Sequence, residues 1–144
     1  MMLRATLLAM LMCFVGSSWA ETLTSDGDLR VLTDRVMAAL VKDGFSGAFE
    51  TLKPYSIVPA PEFQSMVRNS QSQRDQFGGR YGKTIGFEFL GLKKIGESLV
   101  RLTYIEKTEK HALPWMFYFY KTPTGWVLNS IQWNDRVPQL FSQE

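Results

Sequence analysis

The spacing of apolar residues changes period near residue 83. Upstream of it, apolar side chains recur at helical spacing. In residues 25–43 (SDGDLRVLTDRVMAALVKD), Leu29, Leu32, Val36, Ala39 and Leu40 form one stripe, and Arg30, Asp34, Arg35, Lys42 and Asp43 fall largely off it. This predicts a helix. Ser25 or Asp26 is placed to cap its first free N–H groups, and Gly44 is placed to stop it. Residues 45–53 predict a second, short helix with Phe45, Phe49 and Leu52 on one face, closed by Pro54. The prolines in 55–61 make that stretch an extended connector. Residues 61–78 predict a third helix, opened by Pro61. Its inner face is intermittent (Phe63, Met66, Val67, Ser70, Phe77), and the polar run 68–76 is expected to be solvated.

From Lys83 onward the period is about two. Ile85, Phe87 and Phe89 alternate with Gly86, Glu88 and Leu90, and Gly91 suggests a bulge. A turn at Gly96-Glu97 leads to a strand over 98–107, with Val100, Leu102 and Tyr104 facing one way and Arg101, Thr103 and Ile105 the other. A polar loop over 106–112, a strand over 114–121, a turn over 122–125 and a strand over 126–133 follow. Residues past Arg136 suggest a short helical tail closing on Leu140 and Phe141. Helices segregated ahead of a run of strands imply an α+β fold, with N-terminal helices packed on one face of an antiparallel meander. The stretch 99–133 holds three of the four tryptophans. Its strand 115–120 (WMFYFY) puts Trp115, Phe117 and Phe119 on one side and Met116, Tyr118 and Tyr120 on the other. A sheet with one wet face should not be aromatic on both. The outer side is therefore expected to meet a second copy of the chain, a ligand or the C-terminal tail.

The N-terminal residues change this picture by leaving it. Arg4, the apolar run 7–15 and the small residues of Ser18-Trp19-Ala20 have the three-part pattern of a cleaved export signal, residues 1–20, with cleavage before Glu21. The apolar run is short for a membrane span. The single cysteine, Cys13, lies inside this leader, so the exported chain is expected to carry no thiol chemistry or disulfide, which suits a periplasmic or secreted domain. Residues 21–144 have the length of one domain. Arg4 is the only charge removed, so the formal charge falls by one unit from +2. The charges are interspersed, which argues against nucleic-acid binding, and no later segment suggests a membrane anchor.

The closing strand Gly125-Trp126-Val127-Leu128-Asn129-Ser130-Ile131-Gln132-Trp133 is similar to the glycine–tryptophan–aliphatic strand that ends many NTF2-like domains. Tyr118-Phe119-Tyr120-Lys121 resembles their penultimate strand. With the order of elements, the whole exported chain resembles the NTF2-like, cystatin-like α+β cone superfamily. The resemblance implies a strongly curved sheet and a space between helices and sheet. It does not imply one activity, because the superfamily hosts binding modules, interaction domains and enzymes.

The resemblance also implies that an enzyme on such a cone would hold carboxylates, tyrosine or histidine in that space. Glu88, Glu106 and Asp135 are expected at rims and edges, since ionised side chains are seldom buried unpaired. His111, the only histidine, falls in the polar loop and is expected in solvent. No serine sits in a nucleophile elbow, no glycine-rich phosphate loop occurs, and one histidine cannot supply a usual zinc ligand set. No metal or cofactor is expected. The candidate ligand contacts are Arg101, Tyr104, Trp115, Phe117, Tyr118 and Trp133. Arg101 could anchor an anion, or lay its stem over the outer face. The expectation is an exported, non-enzymatic binding or interaction domain for a small apolar or amphipathic ligand, with a possible homodimer through the outer face. The alternative is an isomerase, dehydratase or hydrolase using a polar group inside the cone.

Overall fold

The computed structural model describes residues 22–142. The export signal expected over 1–20 lies outside the described residues. Helix α1 runs Asp26–Leu52, and a reciprocal capping box starts it. The Ser25 hydroxyl accepts from the Asp28 N–H at 3.1 Å, and the Asp28 carboxylate accepts from the Ser25 N–H at 2.9 Å. The two helices expected on either side of Gly44 form one element with a break at that residue, where φ is 71° and ψ −160°. That conformation is open to glycine and close to closed for other residues. The break re-aims the last turns, so Leu29, Leu32, Val36 and Leu40 before it, and Phe45, Ala48, Phe49 and Leu52 after it, all reach the core. A 3-10 turn, Lys53–Tyr55, carries Pro54 and ends the segment. Helix α2, Ala60–Gln76, has Pro61 in its first turn and buries Phe63, while the rest of its surface is largely polar.

Four strands follow: β1 Thr84–Ile95, β2 Leu99–Thr108, β3 Ala112–Thr122 and β4 Gly125–Trp133. They pair in sequence order, every neighbour antiparallel, in a curved, unclosed sheet. The class is α+β with the helices ahead of the sheet, as the change of period implied. Bulges fall at Ile85, Leu90 and Asn129, where the pairing skips a residue. Each one shifts the alternation by one position. Phe87 and Phe89 precede the Leu90 bulge and Leu92 follows it, yet all three pack toward the core. Trp126 and Leu128 precede the Asn129 bulge, Ile131 and Trp133 follow it, and again all four face the same way. The bulges therefore keep one face apolar along strands that curve.

That face meets α1 and α2. Rings of the helices interlock with rings of the sheet: Phe45 lies 5.6 Å from Trp115 and 5.3 Å from Trp133, and Phe49 meets Phe63 edge-on at 5.8 Å. The free edge of β4 is partly covered, since Leu23 and Ser56 form isolated bridges to Trp126 and Leu128. Beyond β4 a 3-10 turn, Val137–Leu140, packs back on β3 and brings Leu140 beside Thr103 on the sheet's other face, while Phe141 stays exposed. Among the described residues, no helix is long and apolar enough to cross a membrane.

Gly44 supplies a direct test of the break. A Cβ there would meet nothing within 4 Å, so the cost of a side chain is backbone strain alone. Gly44→Ala is expected to lower unfolding stability by about 1–3 kcal/mol in urea titration. Gly79→Ala, at a position with similar open space and no positive φ, is expected to change it by less than about 0.5 kcal/mol.

Candidate functional site

The strand register sorts the six candidate side chains into two groups on opposite faces. Tyr104 of β2, Trp115 of β3 and Trp133 of β4 are cross-strand partners in one row, with Phe117 in the next row on the same side. This is the face under the helices. Tyr104, Trp115 and Phe117 are each 0% exposed, and Trp133 is half-buried. Arg101 and Tyr118 are partners on the other face, in a row that continues to Lys93 of β1 and Ser130 of β4.

The covered row ends in polar groups that close on each other. The Tyr104 hydroxyl donates to Asp34 at 2.7 Å and lies 2.7 Å from the Thr33 hydroxyl. The Arg30 guanidinium donates to Asp34 at 2.9 Å and sits 3.6 Å over the Phe89 ring. Burial pushes the Tyr104 phenol well above its usual range, and the Asp34 carboxylate beside it acts in the same direction.

Glu106 corrects the sequence-based expectation. The sequence places it at a solvated rim, and it is 0% exposed. Its phase explains this, because Glu106 follows Val100, Leu102 and Tyr104 at every second position and so points to the covered side. Its charge is matched by Arg74 of α2, which donates from Nη2 at 2.5 Å and from Nη1 at 3.2 Å. The Thr84 hydroxyl at 2.5 Å and the Trp115 indole N–H at 3.0 Å complete the set. Each carboxylate oxygen accepts two hydrogen bonds, so Glu106 is held as a structural anion. Arg74 went unnoticed in the sequence because it sits inside the polar run 68–76, and nothing local distinguishes it from its solvated neighbours.

The remaining acids behave differently. Glu88 is exposed and pairs with Lys107 at 3.1 Å, as a rim residue should. Asp135 is half-buried and accepts from the Tyr81 hydroxyl at 2.7 Å, and that bond holds its carboxyl below the usual carboxylate range. His111 was expected in solvent. Its ring instead stacks on Tyr81 at 4.6 Å, with Nε2 3.3 Å from the Asp135 carbonyl oxygen. These three residues pin the loop after β2 and the chain after β4 to the turn before β1. Among the described residues, no group of three His, Cys, Asp or Glu side chains could hold a metal ion.

The other face is where space opens. Two grooves flank the Lys93–Arg101 pair and share both residues. The first, about 400 Å³, runs between Leu90, Thr103 and Leu140. The second, about 270 Å³, runs between Ile95, Leu99, Tyr118 and Ser130. Lys93 gave no signal as a site residue, since a lysine in a strand reads as a solvated one until the register shows what lies opposite it. Compared with known proteins, the chain matches no family model and no curated sequence.

The two glutamates of β1 and β2 separate the buried acid from the rim acid. Glu106→Ala leaves Arg74 without its anion in a covered position and is expected to cost about 3–5 kcal/mol in chemical denaturation. Glu88→Ala removes an exposed pair and is expected to cost less than about 1 kcal/mol. Equal effects would place both acids at the surface.

Proposed function

We propose that this chain is an exported, non-enzymatic binding domain that takes a small amphipathic molecule on the open face of its sheet. The observation that carries the reading is the pair of grooves meeting at Lys93 and Arg101 on that face. The helix-covered face offers less, because Tyr104, Trp115 and Phe117 are packed to zero exposure against α1, α2 and one another. Ligand sites are concave, largely apolar and furnished with a few polar groups. The second groove has this composition, with Ile95 and Leu99 beside Arg101, Tyr118 and Ser130.

In this reading the leader over residues 1–20 is removed and the mature domain works in the periplasm or outside the cell. Its helix-then-meander order and its closing Gly125–Trp133 strand are those of an NTF2-like cone, and we assign it there on that likeness. The six candidate contacts then divide by role. Arg101 and Tyr118 touch ligand, while Tyr104, Trp115, Phe117 and Trp133 form the wall that holds the sheet's curvature. Acid–base catalysis finds its best footing in Tyr81, His111 and Asp135, but their polar atoms are turned to one another, and Glu106 is already fully hydrogen-bonded.

Native mass spectrometry of the gently purified protein tests this reading. The expected spectrum shows a monomer carrying a small-molecule adduct that is lost on collisional activation. A dimer without adduct gives the open face to a second copy of the chain and overturns the reading. So does a bare monomer.

A further inference from the structure

We infer that the C-terminal turn, Val137–Leu140, is a displaceable strap: it closes over one row of the open face, and ligand that reaches that row takes its place. The strap itself stands on the fold. Its link to ligand rests on the reading of the open face as the binding surface.

Burial on the side of the sheet away from the helices carries the argument. Thr103 of β2 and Met116 of β3 are cross-strand partners, in a row that runs from Gly91 of β1 to Gln132 of β4. Met116 lies between Trp115 and Phe117, which both join the core under the helices, so its own side chain faces the other way. Yet Met116 is 4% exposed and Thr103 is 8% exposed. The turn after β4 supplies their cover, since it packs on β3 and sets Leu140 beside Thr103. Two rows farther along the same face, the partners Leu99 and Tyr120 are left 42% and 46% exposed.

The way the turn is held makes it a unit that can lift. Polar contacts fix its root. The Asn134 N–H donates to the Pro114 carbonyl at 3.2 Å, the Asp135 carboxylate accepts from the Tyr81 hydroxyl at 2.7 Å, and the Asp135 carbonyl oxygen lies 3.3 Å from His111 Nε2. Past the root, hydrogen bonds close on the turn itself. The Gln139 N–H donates to the Arg136 carbonyl at 3.1 Å, the Phe141 N–H to the Pro138 carbonyl at 3.2 Å, and the Ser142 hydroxyl to the Gln139 carbonyl at 3.2 Å. A swing at Arg136 keeps the root pinned and the turn folded. Among the described residues, what it gives up is the apolar seat of Val137 and Leu140, both half-buried. Segments with so little buried surface open locally, well below the cost of global unfolding.

The row under the strap adjoins the row of Arg101 and Tyr118, two residues or roughly 7 Å away along each strand. The first groove has Leu140 as one of its walls. With the strap lifted, that groove continues onto Met116, whose flexible thioether adapts to an irregular apolar surface. A closed strap and a ligand on Met116 exclude each other, so such a ligand holds the strap open.

Peroxide oxidation of the purified protein, followed at each methionine by peptide mass spectrometry, tests the strap. Met37, 0% exposed in the core under the helices, reports global unfolding. Leu140→Ser is expected to speed oxidation of Met116 about tenfold while Met37 stays at its wild-type rate. Phe141→Ser, at the neighbouring residue and 81% exposed, is expected to change neither. An unchanged Met116 rate in Leu140→Ser overturns the strap. So does a joint rise at Met116 and Met37, which makes the turn part of the global fold. The link to ligand is read by fluorescence titration with N-phenyl-1-naphthylamine, a neutral amphipathic dye. Leu140→Ser is expected to bind it roughly threefold more tightly than the wild type. Binding no tighter than the wild type overturns the exclusion between strap and ligand. A bare monomer in native mass spectrometry, with Met116 freed by Leu140→Ser, overturns the open-face reading and leaves the strap standing.

Discussion

A four-stranded sheet has two faces, and the helices α1 and α2 among the described residues cover only one of them. Everything else in the molecule follows from how the strands meet that constraint. A curved strand cannot keep strict alternation and also keep one set of side chains dry along its whole length. The bulges at Leu90 and Asn129 resolve the conflict by resetting the phase, so that Leu92 joins Phe87 and Phe89, and Ile131 and Trp133 join Trp126 and Leu128. The covered face becomes a continuous apolar layer. The same phase carries Glu106 inside, and a charge arriving there has to be matched, which is what Arg74 at the end of α2 does. The pairing of Glu106 with Arg74, Thr84 and Trp115 thus ties α2 to β1, β2 and β3 at one end of the core.

The open face is the complement of that layer. Residues excluded from the core by phase are collected on it in rows: the cations Lys93 and Arg101 with Tyr118 and Ser130, and beside them Ile95, Leu99 and Tyr120. The C-terminal turn covers part of this face near Thr103 through Leu140. The grooves remain where no element among the described residues lies over the sheet. The tyrosines and phenylalanines of strand β3 therefore differ in role although they alternate in sequence, one set filling the core and the other facing outward.

Local signals made most of the architecture legible. Gly44 marked its break, Pro54 and Pro61 marked helix boundaries, and Gly91 marked the bulge at Leu90, because glycine admits backbone geometries closed to other residues and proline fixes its own. The Asn129 bulge had no glycine to announce it. The burial of Glu106 is not legible locally because its partner Arg74 lies 32 residues away in a run that reads as solvent-facing, although the alternation along β2 points it inside. His111 was misjudged for a related reason, since its stacking on Tyr81 and its contact with Asp135 join segments distant in sequence. The opposition of Lys93 and Arg101 depends on how β1 registers against β2, with a bulge between, and no window of sequence contains that information.

The central claim is that the helix-covered face is a sealed layer and that ligand is met on the open one. Amide and indole chemical-shift comparison of the gently purified protein with its small-molecule adduct and after the adduct has been stripped addresses it most directly. The account predicts shifts at Lys93, Arg101, Tyr118 and Ser130, with the Trp115 indole N–H, bonded to Glu106, and the Tyr104 amide left in place. Shifts concentrated at Trp115, Tyr104 and Phe117, with the Lys93 row undisturbed, would put the ligand between helices and sheet and contradict it.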